Sequence, residues 1–202
     1  MDPKDVRNGD VNKVTQPNKA MDGLESFLSA LESNNPPEWD ALPDLGLYMD
    51  QVINYLERQI GLLFPPNREG AITSSMINNY VKANVIPRAR SKKYSQEHIA
   101  LLLAAFVLKK ALTTQDMGVL LVKGEDSAID DSYRSFYEHY RGTLLECGKT
   151  VAQEIRATLE EEPFGGDSLR PLALKLAVEA SIRSLAAEML LTLLEPVAHS
   201  KA

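Results

Sequence analysis

The sequence predicts an almost entirely α-helical protein interrupted by one small basic β wing. Three observations carry this. Apolar residues recur at helical spacing along most of the 202 residues, and no segment outside the stretch around 87–94 sustains period-two alternation. Proline and glycine clusters punctuate the helical stretches at NNPPEW, FPPNREGA and EEPFGGDS.

Residues 1–18 carry Pro3, Gly9 and Pro17 and few large apolar side chains, too little to order themselves, and are expected to be a flexible tail. They contain neither an apolar core nor a small-residue cleavage pattern, so they do not read as a secretory signal. Met21, Leu24, Phe27, Leu28 and Leu31 then define a short amphipathic helix, and Pro36, Pro37 and Pro43 an extended connector anchored by Trp39. A second helix is expected over 45–62, with Leu47, Tyr48, Gln51, Val52, Tyr55, Leu56 and Gln59 on one face. A third runs from a cap at Thr73 or Ser74 through Ala83. After a basic hairpin, Ser95 caps a fourth, SQEHIALLLAAFVLKKAL, with Glu97 in its first turn and Lys109 and Lys110 in its last, as the helix dipole favours. LTTQDMGVLLV reads as a cap and a short fifth helix, GEDSAIDD as an acidic loop, and 128–161 and 168–195 as two long helices.

The net charge of −6 conceals an uneven distribution. Residues 1–43 hold four basic and eight acidic groups, 44–112 nine and five, and 113–202 nine and fifteen. The middle is therefore basic between acidic flanks. No acidic residue occurs between Gly70 and Gln96, where Lys82, Arg88, Arg90, Lys92 and Lys93 all fall. A polyanion responds to such a patch, not to the total.

On a helical wheel the third helix divides completely. Ser74, Ser75, Asn78, Asn79 and Lys82 share one arc, and Met76, Ile77, Tyr80, Val81 and Ala83 the other. Asn can pair with adenine in the major groove, Ser with phosphates or base edges, and Lys neutralises phosphate. Asn84 is suited to the left-handed conformation that ends a helix. Val85 and Ile86 should tuck beneath it, and Pro87 should start a turn presenting Arg88, Arg90, Lys92 and Lys93, closed by Tyr94. These ten polar, basic and aromatic residues, Ser74, Ser75, Asn78, Asn79, Lys82, Arg88, Arg90, Lys92, Lys93 and Tyr94, are the candidate contacts for double-stranded DNA.

MINNYVKANVIP...KKYSQEHIALL, within residues 73–117, resembles the pattern of MerR-type winged helix-turn-helix regulators. With LPDLGLYMDQVINYLE included, the chain more closely resembles a bacterial family known as domain of unknown function 1836, over about 24–125. The resemblance implies a winged helix-turn-helix domain over 19–123 followed by a helical dimerisation or sensing domain over 124–202, in a cytoplasmic transcription regulator. Asn78 and Asn79 stand where MerR-type helices usually carry Arg-Tyr, and Asn84 where they carry glycine. The segment from Leu62 to Ile72 is longer than a tight helix-turn-helix turn.

The remaining constellations read as structure. His98, His139 and His199 are far apart in sequence and neither His139 nor Cys147 has a third ligand at metal spacing, EPFGGDS lacks the strand and the Lys-Ser or Lys-Thr of a phosphate loop, and no nucleophile, base and orienter assemble. The expectation is no enzyme, no cofactor and no metal. Cys147, the single cysteine, is expected to be a buried thiol in a reducing compartment. Tyr133, Phe136, Tyr137 and Tyr140, at i, i+3, i+4 and i+7, read as core. The segment 172–194 is the most hydrophobic, but Lys175, Glu179, Arg183 and Glu188 argue against a membrane span. Its narrow polar strip demands cover on nearly all sides, which implies a homodimer through the C-terminal helices. Any small-molecule or protein effector would act there. The competing reading is a non-enzymatic interaction module that binds a protein through its acidic helical half.

Overall fold

The structure, a computed structural model, describes residues 15–33, 36–60, 72–121, 129–161 and 166–194. Among these residues seven α-helices follow in order: α1 (Thr15–Ser33), α2 (Met49–Ile60), α3 (Ser74–Lys82), α4 (Gln96–Leu108), α5 (Thr114–Leu121), α6 (Ile129–Glu161) and α7 (Gly166–Thr192), with a 3-10 turn at Trp39–Ala41 between α1 and α2. Most of the expected tail, FPPNREGA, the acidic loop up to Ala128 and most of EEPFGGDS lie outside the described residues. So does the connection between α2 and α3, and with it the turn of the expected helix-turn-helix.

α4 is the axis of the core. Every residue from His98 to Phe106 is buried, because this helix is apolar on all sides and only complete enclosure satisfies it. Val52, Leu56 and Ile60 of α2, Ile77 and Tyr80 of α3, Met117 and Leu121 of α5, Tyr137 and Tyr140 of α6 and Leu191 of α7 close around it. Residues from both sides of the expected 123/124 division thus share one core. Thr113 starts α5 by a reciprocal cap: its amide donates to the Asp116 carboxylate at 3.1 Å and its Oγ1 accepts from the Asp116 amide at 3.2 Å.

α6 grips the proline connector. Its Tyr137 hydroxyl donates to the Pro37 carbonyl at 2.8 Å, its Arg141 Nε donates to the Pro36 carbonyl at 2.8 Å, and its Glu138 accepts from the Trp39 amide at 2.8 Å. Prolines cannot donate backbone bonds, so side chains recruited from another helix hold this segment. The Tyr140 hydroxyl reaches the Leu103 carbonyl at 3.2 Å, and burial pushes both tyrosine hydroxyls well above their ordinary pKa. The aromatic run is core, as its spacing indicated: Tyr137 and Tyr140 are buried, and Tyr133 and Phe136 pack against them partly covered.

A second, smaller cluster joins α1 to α6 through Leu28, Ala152 and Ile155. Arg156 clamps it, donating to both Glu25 oxygens at 2.7 and 2.8 Å and to Glu32 at 3.2 Å; the guanidinium holds the Glu25 carboxyl below its usual pKa. The helices approach so closely at Gly148 that a Cβ there would lie 2.4 Å from the Leu31 carbonyl oxygen.

Four expectations need correction. The β wing is not a sheet: among the described residues extended pairing is confined to the isolated bridges Leu47–Tyr94 and Arg90–Lys93. Pro87 has no amide to offer, and Tyr94 spends both of its backbone groups on Leu47, at 2.9 and 2.8 Å, so the hairpin cannot lengthen. α1 begins at Thr15, inside the expected tail, because Pro17 in a first turn forfeits no helical bond. α2 begins at Met49 with Tyr48 half exposed, so its buried face is rotated from the one expected. Cys147 is exposed: it precedes Gly148, where α1 packs closely on α6, and lies on the solvent side of that same turn. No helix among the described residues is long and apolar enough to cross a membrane.

Candidate nucleic-acid interface

α3 is short, and its two ends fix its orientation. At the start, the Thr73 side chain accepts from the Met76 amide at 3.3 Å. At the end, Asn84 is left-handed with φ 57°. Its amide donates to the Val81 carbonyl at 3.2 Å, and the Val85 amide to the Tyr80 carbonyl at 2.9 Å. This is the bond pattern of a Schellman stop, with buried Val85 packing back toward buried Tyr80. Ile77 and Tyr80 anchor the inner face, and the Tyr80 ring meets Phe106 of α4 edge-on at 5.5 Å. Ser74, Ser75, Asn78, Asn79 and Lys82 are all exposed, so the polar arc seen in the sequence is the solvent face of the helix.

The chain then dips into the core at Val85 and Ile86 and re-emerges as a tight turn. Ser91 and Lys92 both have positive φ, 51° and 62°, and the Lys93 amide donates to the Arg90 carbonyl at 2.9 Å. Two successive positive φ values across such a bond are the signature of a type I′ turn, which normally calls on Asn or Gly. Arg88, Arg90, Lys92 and Lys93 are exposed. None of them, nor Lys82, enters an ion pair among the described residues. The patch is open positive charge.

Tyr94 stands apart from the other candidates. It is 5% exposed, and its ring meets His98 edge-on at 5.6 Å. Its place is that of a base for the turn, positioning the four cations without facing solvent. His98 in turn completes the start of α4: its Nδ1 accepts from the Ser95 amide at 3.1 Å and lies 2.7 Å from the Ser95 hydroxyl. Burial lowers its pKa, against the opposing pull of the Arg88 and Pro87 carbonyls and of Glu97. The neutral ring with an open Nδ1 is therefore the form that this cap uses.

One residue escaped the sequence reading. Tyr48, placed there on the buried face of α2, is 50% exposed, and the Lys93 ammonium lies 5.6 Å from the centre of its ring. Gly46 is part of the same contact, since a Cβ on it would come within 2.9 Å of the Lys93 Cβ. The signal lay in the Leu47–Tyr94 pairing, which lines Tyr48 up beside Lys93, but a single bridge between residues so distant in sequence leaves no periodic trace.

The model of the family described as a domain of unknown function (DUF1836) matches residues 37–141. The chain belongs to that family. The match runs from the proline connector through α2–α5 into α6, the segment that holds the whole polar and basic surface; α1 and α7 lie outside it. No curated protein and no solved structure matches the chain.

Proposed function

We propose that the protein is a DNA-binding transcription regulator of the cytoplasm, acting as a homodimer and without an enzymatic activity of its own. In this reading α3 enters the major groove, where Asn78 and Asn79 read base edges while Ser74, Ser75 and Lys82 contact the flanking backbone. The turn at 88–93 lies along neighbouring phosphates like the wing of a MerR-type winged helix-turn-helix domain. Tyr48 adds an exposed aromatic edge beside Lys93.

The observation that carries the reading is the pairing of the two surfaces. A helix face without carboxylates and rich in Ser and Asn is followed, after one fixed turn, by four open cations with no acidic neighbour in sequence. A solvated face would more commonly mix Glu with Lys, as the outer surfaces of α6 do. Phosphate contacts give sequence-independent affinity through counterion release, and the asparagines supply a donor and an acceptor for selection among bases.

The test is selection of bound fragments from randomly sheared genomic DNA by the full-length protein. The expected result is enrichment of fragments that share an inverted repeat, matching a two-fold protein. Recovery no better than that of bulk DNA at low salt would transfer the case to the protein-interaction reading.

A further inference from the structure

The outer side of α7 is the largest anomaly of the surface. Leu174, Val178, Ile182, Leu185, Met189 and Leu193 fall at i+4, i+4, i+3, i+4 and i+4, so they form one continuous stripe. Each is 52–72% exposed. The opposite side of the helix is engaged: Leu191 is buried and Ala187 packs against the main core, Leu172 and Leu176 pack on the α1–α6 cluster, and the Ser184 hydroxyl bonds the Ala111 carbonyl. The stripe is thus not a misplaced core face; it is a second apolar face on a helix whose first is already used.

Its size decides what covers it. At these exposures the six side chains present roughly 650 Å², above the ~300–600 Å² of the largest patch on a typical monomer. The flanking Pro171, Ser181 and Ala186 bring it toward the ~800 Å² that each partner contributes to a standard stable interface. A straight, self-similar stripe of this size suits a second copy of itself. Charge at its edge fixes the direction. Arg170 and Glu188 are eighteen residues apart, about five full turns, and so border the same edge of the stripe near its two ends.

We infer that the protein dimerises through this outer face of α7, with the two α7 helices antiparallel about a two-fold axis. Overlaying the helix on its reversed copy brings Arg170 across from the partner's Glu188 and Glu188 across from the partner's Arg170. It also sets Leu174 toward the partner's Leu185 and Val178 toward the partner's Ile182. A parallel pair would instead set Arg170 near the partner's Lys175 and align the two helix dipoles unfavourably. The inference deepens the homodimer of the proposed function and rests on that reading only for the consequence that two α3 helices face one DNA site.

Sedimentation equilibrium of the full chain without DNA tests the pairing separately from DNA binding. The expected mass at micromolar concentration is twice the 22.4 kDa of the chain. Ile182→Glu together with Leu185→Glu should give monomers that keep the helical circular-dichroism signal, since both side chains are exposed. Arg170→Glu and Glu188→Arg should each weaken the dimer about tenfold, and their combination should restore it. A monomeric parent, or a dimer indifferent to the double glutamate variant, overturns the interface; a combined charge swap that fails to restore pairing overturns the antiparallel arrangement. Loss of DNA selection with the dimer intact would instead strike the proposed function alone.

Discussion

The turn at Ser91 and Lys92 holds two side-chain-bearing residues where the backbone favours Asn and Gly, and this strain should be separable from its use. Lys92 has φ 62°. A left-handed conformation costs an L-residue roughly 1–2 kcal/mol, because its Cβ crowds the neighbouring carbonyl. Lys92→Gly removes that cost but gives the unfolded chain extra freedom worth about 0.5–1 kcal/mol. The net expectation is a stabilisation of roughly 0.5–1 kcal/mol, or about 1–4 °C in melting temperature for a chain of this size. The same change deletes one exposed cation. If Lys92 contacts a phosphate, the slope of log affinity against log salt should flatten by about 0.9. Thermal melts followed by circular dichroism and fluorescence anisotropy on duplex DNA at several salt concentrations read the two effects independently. A variant that is more stable and binds less salt-dependently supports a strained turn retained for its charge. A variant that melts lower, or that keeps the parent's salt slope, refutes that reasoning.

Other perturbations address the frame. Gly148→Ala should cost about 1–3 kcal/mol by overpacking, since its Cβ would meet backbone and not a movable side chain; limited proteolysis should show α1 released from α6. Tyr137→Phe should cost about 1–3 kcal/mol by stranding the Pro37 carbonyl, with DNA affinity per folded molecule unchanged. His98 has a lowered folded pKa, so the unfolded chain takes up the proton first on acidification. Its stabilisation should be complete above about pH 6.5 and be lost progressively as the pH falls below that toward the depressed folded value. His98→Gln should flatten the pH dependence of the melting temperature in that window; an unchanged profile would remove His98 from the account.

Much of the fold was legible because helical periodicity and end signals are local. Thr73, Asn84, Ser95 and Thr113 each announce a helix end through bonds made within four residues, and the two ends of α3 and the starts of α4 and α5 fall where those residues set them. The rest depended on distant partners. Nothing near Tyr94 shows that it will bond Leu47 and turn its ring inward, so its burial follows only from the three-dimensional pairing. Cys147 behaves as a small hydrophobe on average, yet its exposure is decided by which face of its turn α1 packs on, the one that holds the neighbouring Gly148. The apolar excess of α7 was plain in composition. Which half of that circumference the chain itself would cover was not, because Leu191 and Ile182 look alike until α5 and α6 take one side. The solvent face of α3 was the most readable part of the candidate site: a nine-residue helix with one complete polar arc has a single way to lie on a core.

In the proposed function α3 reads bases while the turn beside it reads phosphates, and one set of measurements separates the two. Binding of the full chain to its selected site and to an unrelated duplex should be followed across a range of salt concentrations, for the parent, for Asn78→Ala and Asn79→Ala, and for Arg88→Ala and Arg90→Ala. Each asparagine change should remove roughly 1–3 kcal/mol of preference for the selected site and leave the unrelated duplex almost unaffected. Each arginine change should weaken both duplexes alike and flatten the salt slope by about 0.9 per contact, all at unchanged melting temperature. Equal effects from both pairs without salt dependence, or no binding by the parent at low salt, would contradict it.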